Sequence, residues 1–215
     1  DWDQRSESSA WSGVAIDDKD RVVSLELSVG HISGRFSDSI GKISQLVYLH
    51  ASSNRFVGKL LHVLGQHSLL SCHHVDGTVP QALGSLLQLR SLRLDHNNFS
   101  GRIPESLTRL TKLETLDISS NFLTGTIPAK IGTMTGLQTL SLGHNKLVGS
   151  IPKELGAMRS LIKLSLTENK LSGKVPPLLG NLSKLHALDV TSNNLQGYAP
   201  QSLGSMTALR ELWLG

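Results

Sequence analysis

In Leu113-x-x-Leu116-x-Ile118 two apolar residues stand three apart, and then apolar and polar positions alternate. Alternation is the period of a β-strand with one buried face. So short a strand buries too little to stand alone and needs partners. The same string returns at Leu89-Leu92-Leu94, Leu137-Leu140-Leu142, Leu161-Leu164-Leu166 and Leu185-Leu188-Val190, so the partners are copies of itself. Each strand is predicted to sit beside the next in a parallel sheet, with the intervening residues returning behind it.

The landmarks between strands keep one period. Asn97, Asn121, Asn145, Asn169 and Asn193 are 24 residues apart, as are Gly101, Gly125, Gly149, Gly173 and Gly197, and Pro104, Pro128, Pro152, Pro176 and Pro200. The unit reads L-x-x-L-x-L-x-x-N-x-L-x-G-x-I-P-x-x-L-G-x-L-x-x, and LETLDISSNFLTGTIPAKIGTMTG (113–136) is nearly complete. The Asn is predicted to point inward and bond backbone groups where the chain leaves the strand, forming a ladder from coil to coil. Gly permits the turn, Ile-Pro sets an extended return segment, and L-G-x-L packs a short turn or helix behind the core. Repeats of this length signal a solenoid, in which each coil is stabilised by its neighbours.

The Gly landmarks Gly34, Gly58, Gly77, Gly101, Gly125, Gly149, Gly173 and Gly197 predict eight coils, about 38 Å long at ~4.8 Å per strand. The interval from Gly58 to Gly77 is 19 residues, five short of the period. In that coil His73 and Val75 fill Leu positions and no ladder Asn is present. Two cooperative blocks, with the weakest packing from His62 to Val79, are the expected consequence. A ninth coil begins at Leu209, Leu212 and Leu214 and stops at Gly215, which reads as a fragment of a longer protein.

These repeats resemble the plant-type leucine-rich repeat, whose signature includes L-x-G-x-I-P. The resemblance extends to an N-terminal cap over residues 1–21, through Trp11-Ser12-Gly13-Val14, leading to the solenoid at 22–215. Ile16 stands where the family often places a disulfide-bonded Cys, so the cap resembles the cysteine-free variety of some algal and bacterial relatives. The resemblance implies an α/β solenoid: a right-handed superhelix with a parallel concave β-sheet and 3-10 or α segments on the convex side. It further implies a non-catalytic recognition module, as in the ectodomains of receptor-like kinases, receptor-like proteins and polygalacturonase inhibitors.

On that register the outward positions of the sheet carry ligand contacts. They are Tyr48 and His50; Ser91, Arg93 and Asp95; Asp117 and Ser119; Ser141; Lys163 and Thr167; Asp189; and Trp213. Mixed charge with small hydroxyls suits a protein or peptide ligand, or a glycan. Two sequons, Asn98-Phe99-Ser100 and Asn181-Leu182-Ser183, lie off the ladder and offer glycosylation sites.

Other chemistry finds less support. His62, His67, Cys72 and His74 lie close in sequence, but their spacing matches no zinc finger, and a repeat out of pattern explains LSCHHVDG. His96 and His144 share a repeat position two coils apart, about 10 Å, too far for one ion. No P-loop, G-x-S-x-G or H-E-x-x-H occurs, so neither enzyme nor cofactor is expected. The net charge of +4 over 215 residues is scattered, which argues against nucleic acid. A single Cys forms no internal disulfide. No apolar run nears the ~20 residues of a membrane span, and the polar opening from Asp1 to Ser9 lacks a signal-peptide pattern. The sequons and repeat type favour the cell surface. The absent cap cysteines favour the alternative, a cytoplasmic scaffold segment of a larger signalling protein.

Overall fold

The computed structural model describes residues 13–28, 30, 32–34, 37–56 and 77–215. The strings of alternating residues form one nine-stranded sheet. Its strands run Val14–Ile16, Val22–Glu26, Tyr48–His50, Ser91–Arg93, Thr115–Asp117, Thr139–Ser141, Lys163–Ser165, Ala187–Asp189 and Glu211–Trp213, in chain order. The last eight pair in parallel and are numbered here as coils one to eight. The middle Leu of each faces inward in register: Leu49, Leu92, Leu116, Leu140, Leu164 and Leu188 are fully buried. At the end of the stack Leu212 is 43% exposed.

The Asn ladder follows the sequence expectation. Asn121 Nδ2 donates to Ile118 O and Ser119 O of its own coil and to Leu94 O of the coil before, while its Oδ1 accepts from Phe99 N–H. Asn97, Asn145, Asn169 and Asn193 repeat this pattern. One member is missing from the sequence reading: Asn54, which bonds Leu27 O, Ala51 O, and the N–H groups of Gly30 and Ile32.

The shortened coil is corrected by the same bonds. Tyr48 pairs directly with Ser91, so no strand lies between coils two and three, and Glu211–Trp213 belongs to an eighth coil rather than to the expected ninth. Asn97 bridges this interface, donating to Ala51 O and accepting from Phe56 N–H. Phe56 O and Gly77 O then both accept from coil three, from Asn98 N–H and Ser100 N–H. Phe56 and Gly77 therefore sit in one coil, in the places that Phe99 and Gly101 hold in the next. A single residue, Ser100, separates Phe99 from Gly101, whereas residues 57–76 separate Phe56 from Gly77. Coil two is interrupted rather than followed by a defective coil. Gly58, His62, His67, Cys72, His73 and His74 lie outside the described residues. Long insertions at a surface turn cost little, because closure entropy grows only logarithmically. Replacing residues 57–76 by one serine is expected to keep a single cooperative unfolding transition within about 1 kcal/mol of the parent. Loss of cooperativity in that variant would contradict the assignment.

Behind the core the L-G-x-L segments form 3-10 helices, never α-helices among the described residues. Pro104, Pro128, Pro152, Pro176 and Pro200 precede them with φ from −61° to −65°, the value the ring imposes. All but Glu105–Arg109, where Thr108 takes the place, contain a Gly after the Leu or Ile, with a function that periodicity did not assign. A Cβ on Gly156 would lie 2.2 Å from Leu178 O in the next coil, and on Gly132 2.3 Å from Glu154 O. Absence of a side chain sets how closely successive helices approach. Along the flank, the turn glycines take φ between +71° and +86° (Gly101, Gly125, Gly149, Gly173, Gly197) and let short parallel strands form, such as Val148–Ser150 with Lys170–Gly173.

The N-terminal strand adds the sheet's one antiparallel pairing among the described residues, which the all-parallel expectation lacked. Val14–Ile16 pairs with Val22–Glu26, and Ile16 packs opposite Val22. The connecting turn is pinned by Asp17, whose carboxylate accepts from the N–H of Lys19 and Arg21 and from Arg21 Nε. The Arg21 side chain, ahead of the backbone donors, draws the Asp17 carboxyl down to about 2. A depressed carboxyl stabilises the fold above its unfolded value of about 3.8, and this stabilisation disappears as pH falls toward 2. Hydrogen-exchange protection at residues 13–28, taken relative to the unstructured chain at the same pH, should therefore fall between about pH 4 and 2 in the parent. In Asp17→Asn it should not, and an unchanged acid response in that variant would contradict the role.

Candidate recognition surface

The open face of the sheet is set by strand periodicity, since every residue flanking an inward Leu must point away from the core. Tyr48, Arg93, Lys163 and Trp213 are exposed there, and His50, Ser91, Asp95, Asp117, Ser119, Thr167 and Asp189 are half-buried. Registers Glu26↔His50, His50↔Arg93, Arg93↔Asp117, Asp117↔Ser141, Ser141↔Ser165, Ser165↔Asp189 and Asp189↔Trp213 form one row along the solenoid, while Tyr48, Ser91, Lys163 and Glu211 belong to the parallel row two residues earlier in each strand. One sequence expectation fails. Ser141 is only 7% exposed. Its short side chain sits between Asp117 and Ser165 and beside the buried Gly143, so it forms floor rather than a protruding contact.

The N-terminal end of the row is internally paired. His50 bonds Glu26 Oε2 at 2.9 Å and Ser91 Oγ at 2.8 Å, with the Tyr48 ring edge-on to the imidazole. Burial acts to raise the Glu26 carboxyl, but hydrogen bonds from Ser28 and His50 together hold it below its ordinary value. Ser52 Oγ donates to Asp95 Oδ1 at 2.6 Å, and His96 contacts Asp95 Oδ2 at 3.0 Å. Glu26 is a functional candidate the sequence reading omitted, although Leu25 and Leu27 flank it with the same alternation.

Coils three to eight differ. Arg93, Asp117, Lys163, Asp189 and Glu211 form no ion pair among the described residues. Asp117 and Asp189 instead bond backward within their own coils, to Ser119 and Thr191.

His96 and His144 stand at the corner after the strand, both with φ +53°, and contact the carboxylates of Asp95 and Glu168 separately. Among the described residues no group of three or more His, Cys, Asp or Glu is placed to hold a metal ion. Asn98 and Asn181 are both exposed, on the flank and at the end of the convex helix Pro177–Asn181. No helix among the described residues is long and apolar enough to cross a membrane.

The family model for the leucine-rich repeat region matches residues 59–215, more than half of the chain. The chain belongs to the leucine-rich repeat family. Among curated relatives it is 36% identical over 97 residues to GSO2, an LRR receptor-like serine/threonine-protein kinase of Arabidopsis thaliana, covering 42% of this chain and 8% of that protein. Its fold superposes on a crystal structure of PEPR1 with AtPEP1 at TM-score 0.85 and 34% identity, over 96% of this chain and 26% of that one. The ectodomain of the Arabidopsis thaliana membrane receptor kinase GASSHO1/SCHENGEN3, in complex with CASPARIAN STRIP INTEGRITY FACTOR 2, gives TM-score 0.78 and 37% identity over 94% of this chain and 25% of that one. This leucine-rich repeat chain thus spans about a tenth of the curated relatives it matches, at 8% and 11% of their lengths.

Proposed function

We propose that this leucine-rich repeat segment is a non-catalytic recognition module of a cell-surface receptor and binds a peptide or protein ligand across its concave face. The observation that carries the reading is the set of charges Arg93, Asp117, Lys163, Asp189 and Glu211, none in an ion pair among the described residues, displayed on a sheet whose strands are locked by the Asn ladder. Such a surface loses little conformational entropy on binding, and its charges gain partners they lack in the free protein. The PEPR1–AtPEP1 complex and the GASSHO1/SCHENGEN3 complex with CASPARIAN STRIP INTEGRITY FACTOR 2 support the same use of the fold.

The test is selection of a displayed random peptide library on the purified chain. Peptides so enriched should lose most of their binding to Arg93→Ala/Lys163→Ala and keep it on Lys153→Ala/Arg159→Ala, which alters the convex side. The reverse pattern would overturn the reading.

An extracellular position makes both sequons available, and we assign glycans to Asn98 and Asn181. Secreted from a eukaryotic host, the chain should carry two glycans, each lost singly in Asn98→Gln and Asn181→Gln. A mass unaltered by glycosidase would contradict this.

A further inference from the structure

Resting on that recognition reading, we propose that the ligand is an extended peptide with basic side chains four residues apart, one on Asp117 and the other on Asp189. Most other acidic groups at this side are already engaged: Glu26 with His50, Asp95 with Ser52 and His96, Glu114 with Arg90. Asp117 and Asp189 are held alike. Asp117 Oδ1 accepts from Ser119 N–H at 3.1 Å and Oγ at 2.6 Å; Asp189 Oδ1 accepts from Thr191 N–H at 3.0 Å and Oγ1 at 2.7 Å. In each, Oδ2 has no protein partner among the described residues. The carboxylates are oriented in advance, and each retains one acceptor for a cation.

Spacing selects the ligand. Asp117 and Asp189 share one register position, three coils apart through Ser141 and Ser165. At ~4.8 Å per strand the separation is about 14 Å. An extended peptide advances ~3.4 Å per residue and returns to one face every second residue, so positions i and i+4 lie about 13.5 Å apart. Positions i+2 and i+6, at roughly 7 and 20 Å, miss the second carboxylate. Between the two acids the face sinks to Ser141 and Gly143, both buried, leaving room for a backbone to lie low. Even a Cβ on Gly143 would meet Thr167 Cγ2 at 2.9 Å, so the floor is close-packed rather than hollow. Arg93, beside Asp117, and Lys163, in the coil before Asp189, donate to carbonyl or acidic groups elsewhere on the peptide and repel a chain basic at every position. Spaced cations are therefore preferred over a dense basic run.

The probe is a phage-displayed random dodecapeptide library selected on the chain at low ionic strength, with enriched peptides resynthesised for titration. Enriched sequences should share Lys or Arg at i and i+4. Asp117→Asn and Asp189→Asn retain the Oδ1 acceptor and should fold as the parent does, while each weakens those peptides roughly fivefold. Enriched peptides that lose binding to Arg93→Ala/Lys163→Ala but lack the i, i+4 pair would overturn this proposal and leave the recognition reading standing. Failure to enrich any peptide, or binding indifferent to every concave substitution, would overturn both.

Discussion

Asn121→Ala is expected to destabilise the chain by about 3 kcal/mol, against less than about 0.5 for its exposed counterpart Asn98→Ala. The difference arises from what each side chain satisfies. Asn121 is 6% exposed, and it serves three carbonyls and one N–H; its bonds to Leu94 O, Ile118 O and Phe99 N–H are buried and that to Ser119 O partly so. Removing it strands groups in two successive coils. Asn98 side-chain loss strands none of the ladder bonds. Chemical denaturation of both variants settles the matter, and equal losses would show that the ladder register is wrong.

Gly156→Ala is expected to cost about 2–3 kcal/mol by overpacking, whereas Gly204→Ala at the equivalent position should be neutral or gain up to about 1 kcal/mol. The two glycines share sequence context, each following Leu in a 3-10 helix. They differ in what lies beyond them. An alanine Cβ at Gly156 would stand 2.2 Å from Leu178 O, a backbone atom that yields only if the next coil moves; at Gly204 nothing lies within 4 Å. Thermal unfolding of the pair separates a packing cause from a propensity cause. Equal effects would reject the view that these glycines set the coil spacing.

Much of this was legible from residue spacing. The period-two string around each Leu located the sheet and its open face, and the 24-residue step of Asn located the ladder. Coil two escaped because spacing is read modulo the period: five residues too few and nineteen too many give the same offset, since 24 − 5 = 19. Asn54 stands 43 residues before Asn97, so it fell out of the series. The signal was nevertheless present, for Leu46, Leu49 and Ala51 lead correctly into Asn54, while Leu70, His73 and Val75 lead to no Asn. At the candidate surface, the outward residues were readable but their pairing was not. His50 reaches Glu26 and Ser91 on two neighbouring coils, and Asp117 bends back to Ser119. Which charges remain uncompensated depends on such side-chain choices, and periodicity carries no information about them.

Binding on the concave face is tested most directly by hydroxyl-radical footprinting of the chain with and without a library-selected peptide. Trp213, 46% exposed beside Asp189 on the sheet, should lose most of its oxidation when the peptide binds. Tyr198, 97% exposed on the flank, and Leu178, 46% exposed on the convex side, should oxidise as before. Protection of Tyr198 or Leu178 with Trp213 unchanged would contradict recognition by the sheet.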